Sequence, residues 1–116
     1  MKLVYCSHPY GGDPVEAADA DKAIKELAKR WPGVAFISSI HAIRRDYQAT
    51  DYETGIKACL ALEDRCDAIV FLHGVGKKWQ DSIGCMREFE HAARNPRIAM
   101  LTDSASLLLW ALLMEE

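Results

Sequence analysis

The chain has 116 residues, half of them hydrophobic, and a formal net charge of -3, which suffices for one packed core and falls short of two ordinary domains. Its basic residues are scattered, Lys22, Lys25, Lys29 and Arg30 along one predicted helix and Lys77 and Lys78 in a loop, so a duplex nucleic acid partner is not expected. No apolar run approaches the ~18 residues of a membrane span, and the four cysteines, Cys6, Cys59, Cys66 and Cys85, have neither zinc-site spacing nor the density of a disulfide scaffold.

The chain opens on a strand, Leu3 to Cys6, without the charged-then-apolar pattern of a secretion signal, so the cytoplasm is the expected compartment. A polar, glycine-containing loop follows, Ser7-His8-Pro9-Tyr10-Gly11-Gly12-Asp13. Asp13 then caps a helix, Pro14 suits its first position and Glu16 has capping-box spacing. The inner stripe of that helix reads Ala17, Ala20, Ile24, Leu27, Ala28 and Trp31, and Pro32-Gly33 ends it. Val34 to Ser38 is the second strand.

A long charged connection, Ile40 to Thr50, comes next and carries His41, Arg44, Arg45, Asp46 and Tyr47; connections of that length are often functional or interfacial. A helix from about Tyr52 to Arg65 is expected to bury Ile56, Cys59, Leu60 and Leu62. The third strand is Ala68 to Leu72. After the loop Gly74 to Asp81, a helix starts near Ser82 and ends before Asn95-Pro96, and Ile98 to Leu101 is the fourth strand. The segment Ser104 to Glu116 has more leucine than one buried face needs, which fits either a helix closing the sheet or a homodimer or higher homo-oligomer contact.

Nearly continuous hydrophobic strands separated by helices imply a parallel sheet covered on both faces. The expected fold is therefore a single doubly wound α/β domain over residues 1–116, flavodoxin/Rossmann-like, with four to five parallel strands. In such sheets ligands bind beyond the carboxyl ends of the strands. That places Ser7, Tyr10, Gly11 and Gly12, then His41, then His73, and finally Ser82 and Gly84 among the candidate binding residues. Tyr10 offers a stacking face, and the two glycines let backbone amides approach a phosphate at a helix start. Glu88 lies four residues after Gly84, so the missing side chain there opens a path for its carboxylate. A plain turn and an ordinary solvated glutamate are the unremarkable readings of the same residues. No cofactor or metal is called for.

Three stretches together resemble the nucleoside 2-deoxyribosyltransferase superfamily, particularly its small bacterial and phage branch. They are the loop Ser7 to Asp13, the aspartate-led strand Cys66-Asp67-Ala68-Ile69-Val70-Phe71-Leu72, and Ser82-Ile83-Gly84-Cys85-Met86-Arg87-Glu88, which resembles the catalytic helix. The resemblance implies that Glu88 attacks an anomeric carbon and forms a glycosyl-enzyme, as in retaining glycosidases. It also implies an N-glycosidase or deoxyribosyl transferase acting on a nucleoside or nucleotide. The pattern departs from the family near Cys59, where an aspartate is expected to supply the acid. Asp46, Asp51, Glu53, His41 and His73 are the substitutes the sequence offers. The departure favours a second reading, a non-catalytic nucleotide-binding or sensor domain; a third is a structural domain that acts through its apolar C-terminal helix.

Overall fold

The structure is a computed structural model that describes residues 1–42, 52–103, 106, 107 and 110. Strand β1 (Lys2–Ser7) is followed by α1 (Pro14–Arg30), β2 (Val34–Ser38), the short α2 (Ser39–Ala42), α3 (Tyr52–Glu63), β3 (Ala68–Phe71), a 3-10 turn (Trp79–Asp81), α4 (Ile83–Ala93) and β4 (Ala99–Leu101). The four strands form one parallel sheet in the order β2-β1-β3-β4. Each of the four predicted strands is present, with ends shifted by no more than a residue.

Alternation along the central strands explains why both faces are covered. Tyr5, Ile69 and Phe71 point to one side and pack with Trp79, Cys85, Ala92 and Ile98. Val4, Cys6, Ala68 and Val70 point to the other and pack with Leu27, Leu101 and Leu107. With a period of two, neighbouring residues on one strand serve opposite cores. The architecture is a doubly wound α/β sheet flanked by helices.

Asp13 caps α1 as expected, its side chain accepting the Val15 N–H at 2.9 Å. Glu16 does not complete the capping box; its carboxylate reaches across the fold and accepts the Val75 N–H at 2.7 Å. Ala28, assigned to the inner stripe, is exposed, while Ala20 and Leu27 carry the buried face. Asp67, at the amino end of β3, accepts the Leu3 N–H at 2.8 Å and so fastens the edge of the sheet away from the ligand end.

The expected connection from Ile40 begins as helix α2, and its remaining residues, with Arg44, Arg45, Asp46, Tyr47 and Asp51, lie outside the described residues. Of the C-terminal segment, Ser106, Leu107 and Trp110 are described and helical. Leu107 is fully buried against the sheet, so one leucine of that segment serves this chain's own core. Among the described residues no helix is long and apolar enough to cross a membrane.

Candidate functional site

A cleft of about 1150 Å³ opens at the carboxyl ends of β1 and β3. Its walls come from the loop His8 to Asp13, the first turn of α1, the outer turns of α3, and the start of α4. Gly11 and Gly12 take φ values of 59° and 82°, a left-handed turn that side chains resist. This turn bends the chain around the cleft and delivers Asp13 to the start of α1.

Glu88 sits in the second turn of α4, and its side chain leans back toward the helix start. It is 6 % exposed and faces the cleft. Both of its oxygens are held by β1: Ser7 Oγ donates to Oε1 at 2.7 Å, and the Tyr5 hydroxyl donates to Oε2. Burial pushes the Glu88 carboxyl up to about 7, while the two donated hydrogen bonds pull the other way. Deep burial, with the neighbouring Glu88 charge added, raises the Tyr5 phenol well above its usual range, so Tyr5 remains a donor. The result is a buried carboxylate, poised near neutrality, oriented through both oxygens and open to a ligand.

Ser82 caps α4, its Oγ accepting the Cys85 N–H at 3.3 Å. Gly84 faces the cleft beside it. A Cβ placed at Gly84 would meet only ordinary contacts, the Tyr52 hydroxyl at 3.8 Å and Ser82 Oγ at 4.0 Å. The protein's own packing therefore does not demand glycine there. Tyr52 forms the opposite wall; the Arg87 guanidinium lies over its ring at 5.6 Å and is gripped by Glu53 through contacts of 2.6 and 3.0 Å.

Of the expected site residues, the fold brings Ser7, Tyr10, Gly11, Gly12, Ser82, Gly84 and Glu88 together around this cleft. His41 and His73 are not among them. His41 projects to the α1 side, where its Nδ1 lies 3.0 Å from Ser38 Oγ and it borders a separate, shallower depression. His73 Nδ1 accepts the Trp79 N–H at 3.1 Å and braces the following loop. A strand end fixes where a residue lies and leaves its direction to the next turn, which is why both histidines miss the cleft. Glu53, a candidate acid, is instead paired with Arg87.

The loop after β3 is anchored at both ends. Trp79 stacks on Phe71 with centroids 4.5 Å apart and contacts Phe89, and the Glu16 carboxylate packs so closely on Gly74 that a Cβ there would collide with it. Lys77 of this loop lines the cleft.

Tyr5 and Glu16 belong to the site without any local sequence pattern that marks them. Tyr5 was legible only as a strand residue; its pairing with Glu88 spans 83 positions. Cys59 does line the cleft, and burial together with the Glu88 charge raises its thiol, which is therefore neutral. His8, Glu16 and Asp19 bring potential metal-ligand atoms within 4.8 Å of one another. His8 already contacts the Pro9 carbonyl at 2.7 Å and Asp19 at 2.8 Å, an arrangement that ties the loop to α1 without an ion. Comparison with protein-family models, curated proteins and solved structures finds no match for this chain.

Proposed function

We propose that this chain cleaves or transfers the N-glycosidic bond of a nucleoside or nucleotide, with Glu88 as the nucleophile. The observation that carries the reading is the seating of Glu88: a carboxylate buried at the floor of a strand-end cleft, both oxygens fixed by Tyr5 and Ser7. Such a group attacks an anomeric carbon to give a glycosyl ester, which water or a second base then resolves. The flavodoxin/Rossmann-like assignment belongs to the same proposal; the strand order β2-β1-β3-β4 supports it, as does the position of the cleft beyond the strand ends.

In this reading the cleft orients the substrate with few parts. Tyr10 borders the sugar pocket, and the turn at Gly11 and Gly12 lets the backbone come close. Ser82 and the amides at the start of α4 face the ligand's polar end. Preorientation of the carboxylate removes the cost of arranging it during reaction.

A second reading, a nucleotide-binding or sensor domain, is favoured by Cys59, a weak acid in the place where the resemblance expects an aspartate. Incubation with a panel of nucleosides and nucleoside monophosphates, followed by chromatography for free base, separates the two. The glycosidase reading expects release by the parent and none by Glu88→Gln. Ligand-induced thermal shifts without release would establish the binding domain instead.

A further inference from the structure

Resting on the proposed glycosidic chemistry, we infer that the substrate is a cationic N-glycoside, one whose base carries a positive charge at the glycosidic nitrogen or on the same ring system, such as a pyridinium riboside or an N7-alkylated purine nucleoside. Two independent features of the cleft, read among the described residues, point there: its charge and the few groups in it placed to supply a proton.

Charge comes first. Among the described residues, the carboxyl groups of Asp13, Glu16, Asp81 and Glu88 line the cleft, and the lysine facing them is Lys77. His8 lines it too, its ring nitrogens set against two acceptors, the Pro9 carbonyl and the Asp19 carboxylate, so any charge the ring carries is balanced by Asp19. Asp13 stands at the start of α1, where a bound phosphate would otherwise sit, and its carboxylate already accepts the Val15 N–H. A concave site with this imbalance concentrates cations and repels anions. Tyr10 and Tyr52 add aromatic faces suited to a charged ring.

The second feature is the proton. When Glu88 attacks the anomeric carbon of a neutral nucleoside, the pair of electrons from the C–N bond leaves on the base, which departs as an anion unless an acid protonates it. Among the described residues lining the cleft, Asp13 and Glu16 are engaged as acceptors of backbone N–H groups, which leaves Asp81 as the one carboxyl besides Glu88. Cys59 is a weak donor, its thiol raised by burial and by Glu88. A cationic base needs no donor. The C–O bond to Glu88 forms, the C–N bond breaks, and the electron pair neutralises the ring, which leaves uncharged. Water then attacks the glycosyl ester, returning the Glu88 carboxylate and releasing one proton to solvent. The change near Cys59 is in this account a match to the leaving group.

The test is base release measured at pH 6 on pairs that share a sugar: 7-methylguanosine with guanosine, 7-methyl-2'-deoxyguanosine with 2'-deoxyguanosine, and nicotinamide riboside with adenosine. Each rate is corrected for loss without protein. The expected result is a kcat/KM for the cationic member about a hundredfold or more above its neutral partner, the scale on which a missing acid is felt. Release confined to nicotinamide riboside identifies the pyridinium class, and release confined to the methylated purines identifies the other; both uphold the inference. Neutral partners cleaved as fast as the cationic ones overturn it and leave the glycosidase proposal standing. Release from no substrate overturns both. Asp81→Asn is expected to raise KM for the cationic member about threefold more than for the neutral member; an equal effect on both would remove the electrostatic part.

Discussion

The Tyr5 hydroxyl donates to Glu88 Oε2 across 83 positions of sequence, joining the central strand of the sheet to the helix that forms the floor of the cleft. Ser7, two residues along the same strand, supplies the donor to the other oxygen. Because the period of a strand is two, Tyr5 and Ser7 share one face. A single strand thereby fixes both oxygens of one buried carboxylate. Tyr5→Phe removes one donor and keeps the ring that packs with Ile69 and Trp79. The expected outcome is a folded protein in which Glu88 titrates about one to two pH units higher, since hydrogen bonds to a charged group are worth about 1.5–3 kcal/mol. Turnover measured against pH reads that displacement.

The pH dependence of the parent follows from the same carboxylate. Attack requires the ionised form, and Glu88 is raised to about 7 by burial. Turnover is expected to rise from pH 5 to pH 8 with an inflection near 7, and the rise should be lost in Glu88→Gln. An inflection in the ordinary carboxylate range, near 4 to 5, would mean that another group controls the rate.

Glu63 is fully buried at the end of α3, and among the described residues neither of its side-chain oxygens has a hydrogen-bond partner. Burial, with smaller contributions from Glu88 and Asp64, raises its carboxyl to about 9. An acid raised in the folded state holds its proton there while the unfolded chain releases it, so stability falls as pH rises from the unfolded value toward 9. Glu63→Met is expected to stabilise the protein by about 1 to 3 kcal/mol at pH 9, the cost of an unmet buried polar group, and by less at pH 5. Chemical denaturation at the two values measures the difference.

Gly84 gives a test of where the ligand sits. An added methyl meets only contacts of 3.8 and 4.0 Å from the protein, so Gly84→Ala is expected to fold with an unchanged thermal midpoint. If the ligand approaches Glu88 over this position, affinity falls on the order of tenfold or more, because one misplaced methyl in a close-packed site is felt strongly. Unaltered affinity would place the ligand elsewhere in the cleft.

How much of this was legible in the sequence divides by range. The strands, the Asp13 cap of α1 and the Ser82-Gly84-Glu88 spacing are local patterns, and each is found where periodicity and capping chemistry place it. Pairings between distant segments are not local. Nothing in the sequence around Tyr5 announces Glu88, and Glu16 looks like half of a capping box until β3 and its loop pack beside it. Glu63 shares a helix face with Ile56 and Cys59 at spacings of three and four, a signal of burial that its charge disguised. His41 and His73 occupy strand ends, yet local hydrogen bonds to Ser38 and Trp79 turn or hold them away from the cleft.

The central claim is that Glu88 becomes covalently bonded to the sugar. The most direct measurement is mass spectrometry of protein quenched during turnover, with peptide mapping. The expected result is one glycosyl group on the peptide containing Glu88, lost on prolonged incubation and absent from Glu88→Gln. Undiminished base release by Glu88→Gln, with no labelled peptide in the parent, would contradict it.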